Sequence, residues 1–446
     1  MVNFFLIIRF ISIRILCLYL MTSILSGSFI LMANEPDSTH NITFNKQIYI
    51  SPTPGKFPIV ASSGFNSITG PREEDFTDLE ECGFNLCLSA STIDRYNQML
   101  NLLKDTDIKI LIHSSSFTSG HIRSDREKKL IDFIDTYKYN DMVAGWDFVD
   151  EPIWDNITDL SYYYHLSRNI VPRKLCFTNF VGGIVSKFTG PCKTMESYVD
   201  TIQKYFAPDL WCSDFYPLSL KDNKLKIDYQ GFFDNLRIFA SQSKKTGVPM
   251  WNYCQSMAFT TKNLNRPAAT LPYLSFEIFS ALAYGSQGII YWTYYQRPST
   301  DTETYHSALV NLDGRKTKAW DAAKKINFQI KSLTSVFLDA TWVSSVHTGN
   351  IDLKRVTDSA DGFGPIARLS NGNKGVLVSH ITNRDTNFLI IVSHDLEKKQ
   401  TINLTFKQGF SISRIDISST GELKKKRLGS KHSTTLSPGG FLIIEW

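Results

Sequence analysis

The chain has 446 residues, of which 42% are hydrophobic and 20% charged, enough apolar material for a core and too much for wholesale disorder. Its net charge of +5, from 48 Lys and Arg against 43 Asp and Glu, is too slight an excess to mark a nucleic-acid binder. Aromatic residues reach 13%, so rings must line a surface or cleft as well as fill a core.

The segment Met1–Ala33 holds Arg9 and Arg14 and no acid, and runs almost wholly apolar or small from Ile15 to Met32. A basic start followed by an apolar stretch reads as a secretory signal, with an uncleaved membrane anchor as the alternative. Either reading makes the chain secreted, periplasmic or tethered at the cell surface. Leu16 before Cys17 argues against lipidation, which needs a small residue there. The later cysteines are Cys82, Cys87, Cys176, Cys192, Cys212 and Cys254. Their even number permits disulfides in an exported chain, but no CxxC pair suggests a metal. No cofactor is expected.

From residue 57 onward, apolar strands alternate with amphipathic helices. The strands are Phe57–Ser63, Asn85–Ser89, Ile108–His113, Met142–Val149, Lys174–Asn179, Leu210–Phe215, Pro249–Cys254 and Gly288–Thr293. Helices are expected at Asp75–Cys82, Ile93–Leu103, Ser124–Tyr139, Leu160–Asn169, Met195–Phe206, Phe232–Lys245, Tyr273–Tyr284 and Thr317–Phe337. Alternation demands a parallel sheet, and eight such repeats make a closed (β/α)8 TIM barrel over residues 34–340. A doubly wound open sheet is the rival, but it usually carries a Gly-rich phosphate turn after its first strand, and none is present.

Beyond Thr341 the texture changes to short strands separated by turn residues such as Asn371-Gly-Asn and Ser437-Pro-Gly-Gly. That pattern predicts a small antiparallel β-sandwich over 341–446. Lys424-Lys-Lys-Arg427 is expected in one of its turns as a solvated basic hairpin.

In a parallel barrel the active site lies at the C-terminal ends of the strands. Those ends supply His113, Asp150-Glu151-Pro152, Asn179, Asp214-Phe-Tyr216, Gln255 and Trp292-Thr-Tyr294. Carboxylates, amides and rings in one mouth suit a sugar, whose flat CH faces stack on aromatics while its hydroxyls need paired donors and acceptors. The sharpest local signal is Gly145-Trp-Asp-Phe-Val-Asp-Glu-Pro152, two acids side by side at the tip of a core strand. Crowding by Asp150 and an apolar wall of Trp146 would keep Glu151 protonated, as a general acid requires. Gln296 and Arg297 follow the last strand and are candidates for the rim, and Trp154 for a flanking subsite.

The eight-strand pattern, the acid ending strand four, Tyr216 after strand six, and Ala281-Leu-Ala-Tyr-Gly-Ser-Gln-Gly-Ile-Ile-Tyr-Trp292 at strand eight together resemble the clan A glycoside hydrolases. The resemblance covers about 57–446 and implies a glycosidase acting on a carbohydrate, with no nucleic-acid or protein partner. Two departures stand out. The clan usually carries Asn-Glu at the end of strand four, where this chain has Asp150-Glu151. Its nucleophile is a Glu at the end of strand seven, where this chain has Gln255, and an amide cannot form the usual glycosyl ester.

Several readings follow. An inverting enzyme would use Glu151 as acid and Asp214, or Asp150, to activate water. A substrate-assisted enzyme would use Asp150 to orient a 2-acetamido group, Glu151 to donate the proton and Tyr216 to steady the intermediate. A non-catalytic barrel would only bind glycans. A retaining enzyme with a displaced nucleophile would need another acid, for which Glu277 is the candidate. His113, Asn179, Tyr216, Gln255, Trp292 and Tyr294 are the expected substrate contacts.

Overall fold

The computed structural model describes Tyr49 and residues 51–113, 123–357, 359–371 and 374–446. The basic and apolar lead at Met1–Ala33 and the turn after Asn371 lie outside the described residues. So does any account of the proposed export signal.

Eight parallel strands close in sequential order into a barrel. They are β1 (Ile59–Ser62), β2 (Leu86–Ala90), β3 (Lys109–His113), β4 (Val143–Asp150), β5 (Leu175–Val181), β6 (Trp211–Asp214), β7 (Met250–Gln255) and β8 (Ser286–Trp292). Each is followed by a helix: α1 (Glu73–Cys82), α2 (Ile93–Leu102), α3 (Arg123–Tyr137), α4 (Ile157–Ile170), α5 (Met195–Tyr205), α6 (Tyr229–Thr246), α7 (Leu271–Ala283) and α8 (Lys318–Ser332). The expected long last helix breaks at Leu333, leaving a separate turn of helix at Thr334–Phe337. Starts are fixed by hydroxyl and carboxylate caps, as where Thr194 accepts the Ser197 amide and Thr270 that of Tyr273.

Alternation along the strands sorts side chains into two layers. Trp146, Phe148, Cys176 and Phe180 face the helices, whereas Val60, Leu86, Leu111, Leu175, Phe177 and Trp251 fill the barrel. Trp251 needs Gly288 opposite, because a Cβ there would stand 2.5 Å from the indole. Apolar side chains thus plug the barrel below, and the polar strand tips are left above them.

The C-terminal strands form two antiparallel sheets. They are β9 (Thr341–His347), β10 (Ile366–Ser370), β11 (Val376–Asn383), β12 (Thr386–Ser393), β13 (Gln400–Phe406), β14 (Ser413–Ile417), β15 (Leu423–Arg427), β16 (Lys431–Leu436) and β17 (Phe441–Glu445). Six strands run in the order β9-β11-β12-β17-β14-β15 and three in the order β10-β13-β16. Lys424–Arg427 is therefore not a turn: it belongs to β15, the sheet's edge strand, where charge discourages pairing with another chain. The sandwich packs on α6 and α7. Phe279 stacks on Phe441 at 3.6 Å, Ser379 Oγ donates to the Ala283 carbonyl at 2.6 Å, and Tyr229 Oη donates to that of His394 at 2.9 Å.

All six described cysteines are unpaired. Among the described residues no helix is long and apolar enough to cross a membrane.

Candidate active site

The tips of β1 to β8 surround a cavity of about 480 Å³. Its acids come from two strands: Asp147 and Asp150 from β4, and Asp214 from β6. Strict alternation would put two residues three apart on opposite faces. They share the inward face because β4 carries a bulge: Asp147 pairs with Phe177 and Asp150 with Asn179, three steps against two.

Asp147 is the deepest of them. Its Oδ2 meets His113 Nδ1 at 2.8 Å. Burial alone would lower the pKa of His113, but the Asp147 charge and hydrogen bond, with help from Asp150, outweigh it and raise it. Asp150 accepts from Asn179 Nδ2 at 2.9 Å. Desolvation and the Asp147 charge raise its pKa, against the Asn179 bond. Asp214 is raised well above the ordinary carboxylate range by desolvation first, then by Glu151 and Asp150. Asp147 Oδ1, Asn179 Oδ1 and Asp214 Oδ1 are buried acceptors with no donor among the described residues.

Rings wall the other side. Trp292 stacks on Tyr216 with centroids 5.5 Å apart and planes 26° apart, and Tyr253 also lines the cavity. Tyr216 is held by a strap: Arg266 donates to its carbonyl and, at 2.6 Å, to that of Leu218. The Trp292–Thr293 peptide bond is cis.

Of the residues expected at the site, His113, Asp150, Asn179, Asp214, Tyr216 and Trp292 line the cavity together. Glu151 does not. The bulge brings Asp150 inward, and Glu151 follows it in the left-handed region at φ 44°, off the inward row. It stands beside the mouth, close enough to raise Asp214, while burial first and Asp150 second raise its own pKa to about 7 against the pull of Lys187. Gln255 is spent within the wall, its Nε2 donating to the carbonyls of Pro267 at 2.9 Å and Met257 at 3.4 Å. Tyr294 is turned into the helix layer, where its hydroxyl accepts from Trp320 Nε1 at 3.1 Å and its ring meets Phe84 edge-on.

Asp147 and Tyr253 are cavity residues that the strand-end reading passed over, because it took only the last residue or two of each strand. An acid in the middle of an apolar strand was the available signal. Glu277, the alternative nucleophile, sits behind β7. Its Oε2 accepts the Gln255 amide at 3.0 Å, and burial raises it to about 8. Among the described residues no cluster of His, Cys, Asp and Glu is arranged to hold a metal ion.

No protein-family model matches the chain, and no curated protein matches it in sequence. Among solved structures it is similar to a catalytic mutant of a GH42 beta-galactosidase from G. stearothermophilus, at 8% identity over 90% of this chain and 99% of that one, with TM-score 0.59. It is also similar to a glycoside hydrolase family 5 protein from Bacteroides vulgatus ATCC 8482, at 13% identity over 87% of this chain and 89% of that one, with TM-score 0.54. The chain spans 61% of the length of another match, a beta-galactosidase from the psychrophilic Marinomonas ef1, at 11% identity over 63% of this chain, with TM-score 0.47. The likeness is one of fold. What is shared is a TIM barrel followed by a β-sandwich.

Proposed function

We propose that the chain is a glycoside hydrolase acting on a glycan or oligosaccharide. The observation that carries the reading is the convergence of Asp147, Asp150, Asn179 and Asp214 on a cavity faced by Tyr216 and Trp292. The hydroxyls of a polyol suit these carboxyl and amide groups, and its apolar face suits the rings.

Glu151 and Asp214 oppose each other's ionisation, so the pair tends to hold one proton near neutral pH. The scissile oxygen of a sugar seated in the cavity points outward, which suits a donor at the rim. Inversion requires the shared proton to rest on Glu151 and leave Asp214 ionised, against the heavier burial of Asp214: Glu151 then gives its proton to that leaving oxygen, and the Asp214 carboxylate takes one from the attacking water. Water's oxygen bonds to the anomeric carbon as the glycosidic bond breaks, giving an inverted product. Asp150, held by Asn179, binds the sugar; with a 2-acetamido sugar it would orient the amide instead. Export through the Met1–Ala33 lead belongs to the same proposal.

The test is a panel of aryl glycosides and oligosaccharides, with the product anomer read by NMR. Glu151→Gln and Asp214→Asn should each cut turnover by about 10²–10⁴ while sugar binding persists. Activity should fall as pH rises past about 7, where Glu151 loses its proton. Turnover that survives both substitutions would refute the assignment. A wild-type chain that binds sugars and cleaves none would favour a glycan-binding barrel, a reading that Gln255, engaged by Pro267 and Met257, supports.

A further inference from the structure

The cavity has a polarity gradient. Its strand tips offer carboxyl and amide groups, those of Asp147, Asp150, Asn179 and Asp214. Its rim offers a cation: among the described residues lining it, Arg297 is the only Lys or Arg. The guanidinium is placed rather than loose. It lies 5.4 Å from the centroid of the Tyr305 ring, on a residue followed by Pro298, which narrows its backbone freedom. Among the described residues no ion pair or hydrogen bond of Arg297 occurs. Glu303, on the same loop, is taken by the Tyr305 hydroxyl. Yet Arg297 is close enough to lower Asp150, so a sugar that touches Asp150 brings a neighbouring substituent toward the guanidinium.

We infer that the site selects a sugar bearing an anionic substituent, the carboxylate of a uronic acid or a sulfate ester, which Arg297 receives at the rim. This rests on the carbohydrate reading above. The planar fork of an arginine suits either oxyanion, and stacking on Tyr305 orients it beforehand. The acids in the cavity do not forbid such a ligand. Asp147 is held by His113 Nδ1 at 2.8 Å, and burial and mutual repulsion disfavour ionising Asp150 and Asp214 together.

The experiment is calorimetric titration of the full chain with glucuronic acid, galacturonic acid and glucose 6-sulfate, beside neutral glucose and galactose. At least one anionic sugar should bind about tenfold more tightly than its neutral counterpart, as a charged hydrogen bond is expected to provide. Arg297→Met should bring that ratio to about one, and Arg297→Lys should keep part of it. The uronate and sulfate arms tell which oxyanion is meant. Equal affinities, a preference that survives Arg297→Met, or no binding of any sugar would overturn the inference. Circular dichroism of both variants guards against misfolding. Hydrolysis of 4-nitrophenyl glucuronide and glucoside, run in parallel, separates the two claims. An Arg297-dependent preference without cleavage removes the hydrolase and keeps the inference, whereas cleavage of both glycosides without preference does the reverse.

Discussion

Glu277 decides whether the barrel hides a second catalytic acid, and it yields a stability prediction. It is buried on α7, with one oxygen on the Gln255 amide and the other without a partner. Burial moves its pKa from 4.5 to about 8, against the Gln255 bond and the Arg266 charge. At ~1.4 kcal/mol per unit, that displacement amounts to about 5 kcal/mol of disfavoured ionisation. A carboxyl with a raised folded pKa supports the fold fully below its unfolded value, and the support fades as pH climbs from 4.5 to about 8. Glu277→Gln keeps a carbonyl oxygen for the Gln255 amide and removes the titration. Urea unfolding of both proteins at pH 5, 6.5 and 8.5 should therefore show the variant gaining on the wild type by roughly 1.4 kcal/mol per pH unit across that window. The variant should also keep hydrolytic activity, because Glu277 does not line the cavity. Parallel pH dependences would mean that Glu277 is ionised in the fold. Such a result, joined to loss of turnover, would refute the reasoning and make Glu277 the nucleophile of a retaining enzyme.

Asp147→Asn should lower the pKa of His113, since the Asp147 charge and hydrogen bond raise it. The imidazole resonance in an NMR titration would move to lower pH, and an unmoved midpoint would dissolve the dyad. The pair His347 and His394 should make the junction of barrel and sandwich sensitive to acid. Their rings stack 5.4 Å apart, Tyr284 Oη lies 3.0 Å from His347 Nε2, and burial lowers His394 to about 3. A depressed histidine gives its support above its unfolded pKa of 6.5 and withdraws it as pH falls toward 3, so His394→Gln should flatten the acid loss by up to ~1.4 kcal/mol per unit even as it weakens packing at pH 7. Equal slopes in acid titrations of unfolding would contradict this.

The barrel was legible because each strand is an apolar run bounded by helix caps and turn residues, and that pattern survives without any knowledge of register. The sandwich was legible where strands are apolar, as at Phe388–Ser393, and not at β15, whose Lys-rich sequence reads as turn although ladder bonds make it a strand. Disulfide pairing had no signal in spacing, and the described cysteines stay free because five of the six are buried at separate core positions.

The site was legible in composition and misread in direction, and β4 shows why. Trp146 and Phe148 face the helices, so period-two counting sends Asp150 outward with them and Glu151 inward. One extra residue before Asp150 reverses both. Nothing in Phe148-Val149 announces a bulge, so the face of the acid pair could not be read from the strand's sequence. The reversal also sets the carboxylates apart. Asp147 is buried with His113, Asp150 and Asp214 line the wall, and Glu151 is left beside the mouth. In the proposed mechanism the displacement that takes Glu151 off the cavity wall sets it beside the bound sugar, where it would donate a proton to the departing group.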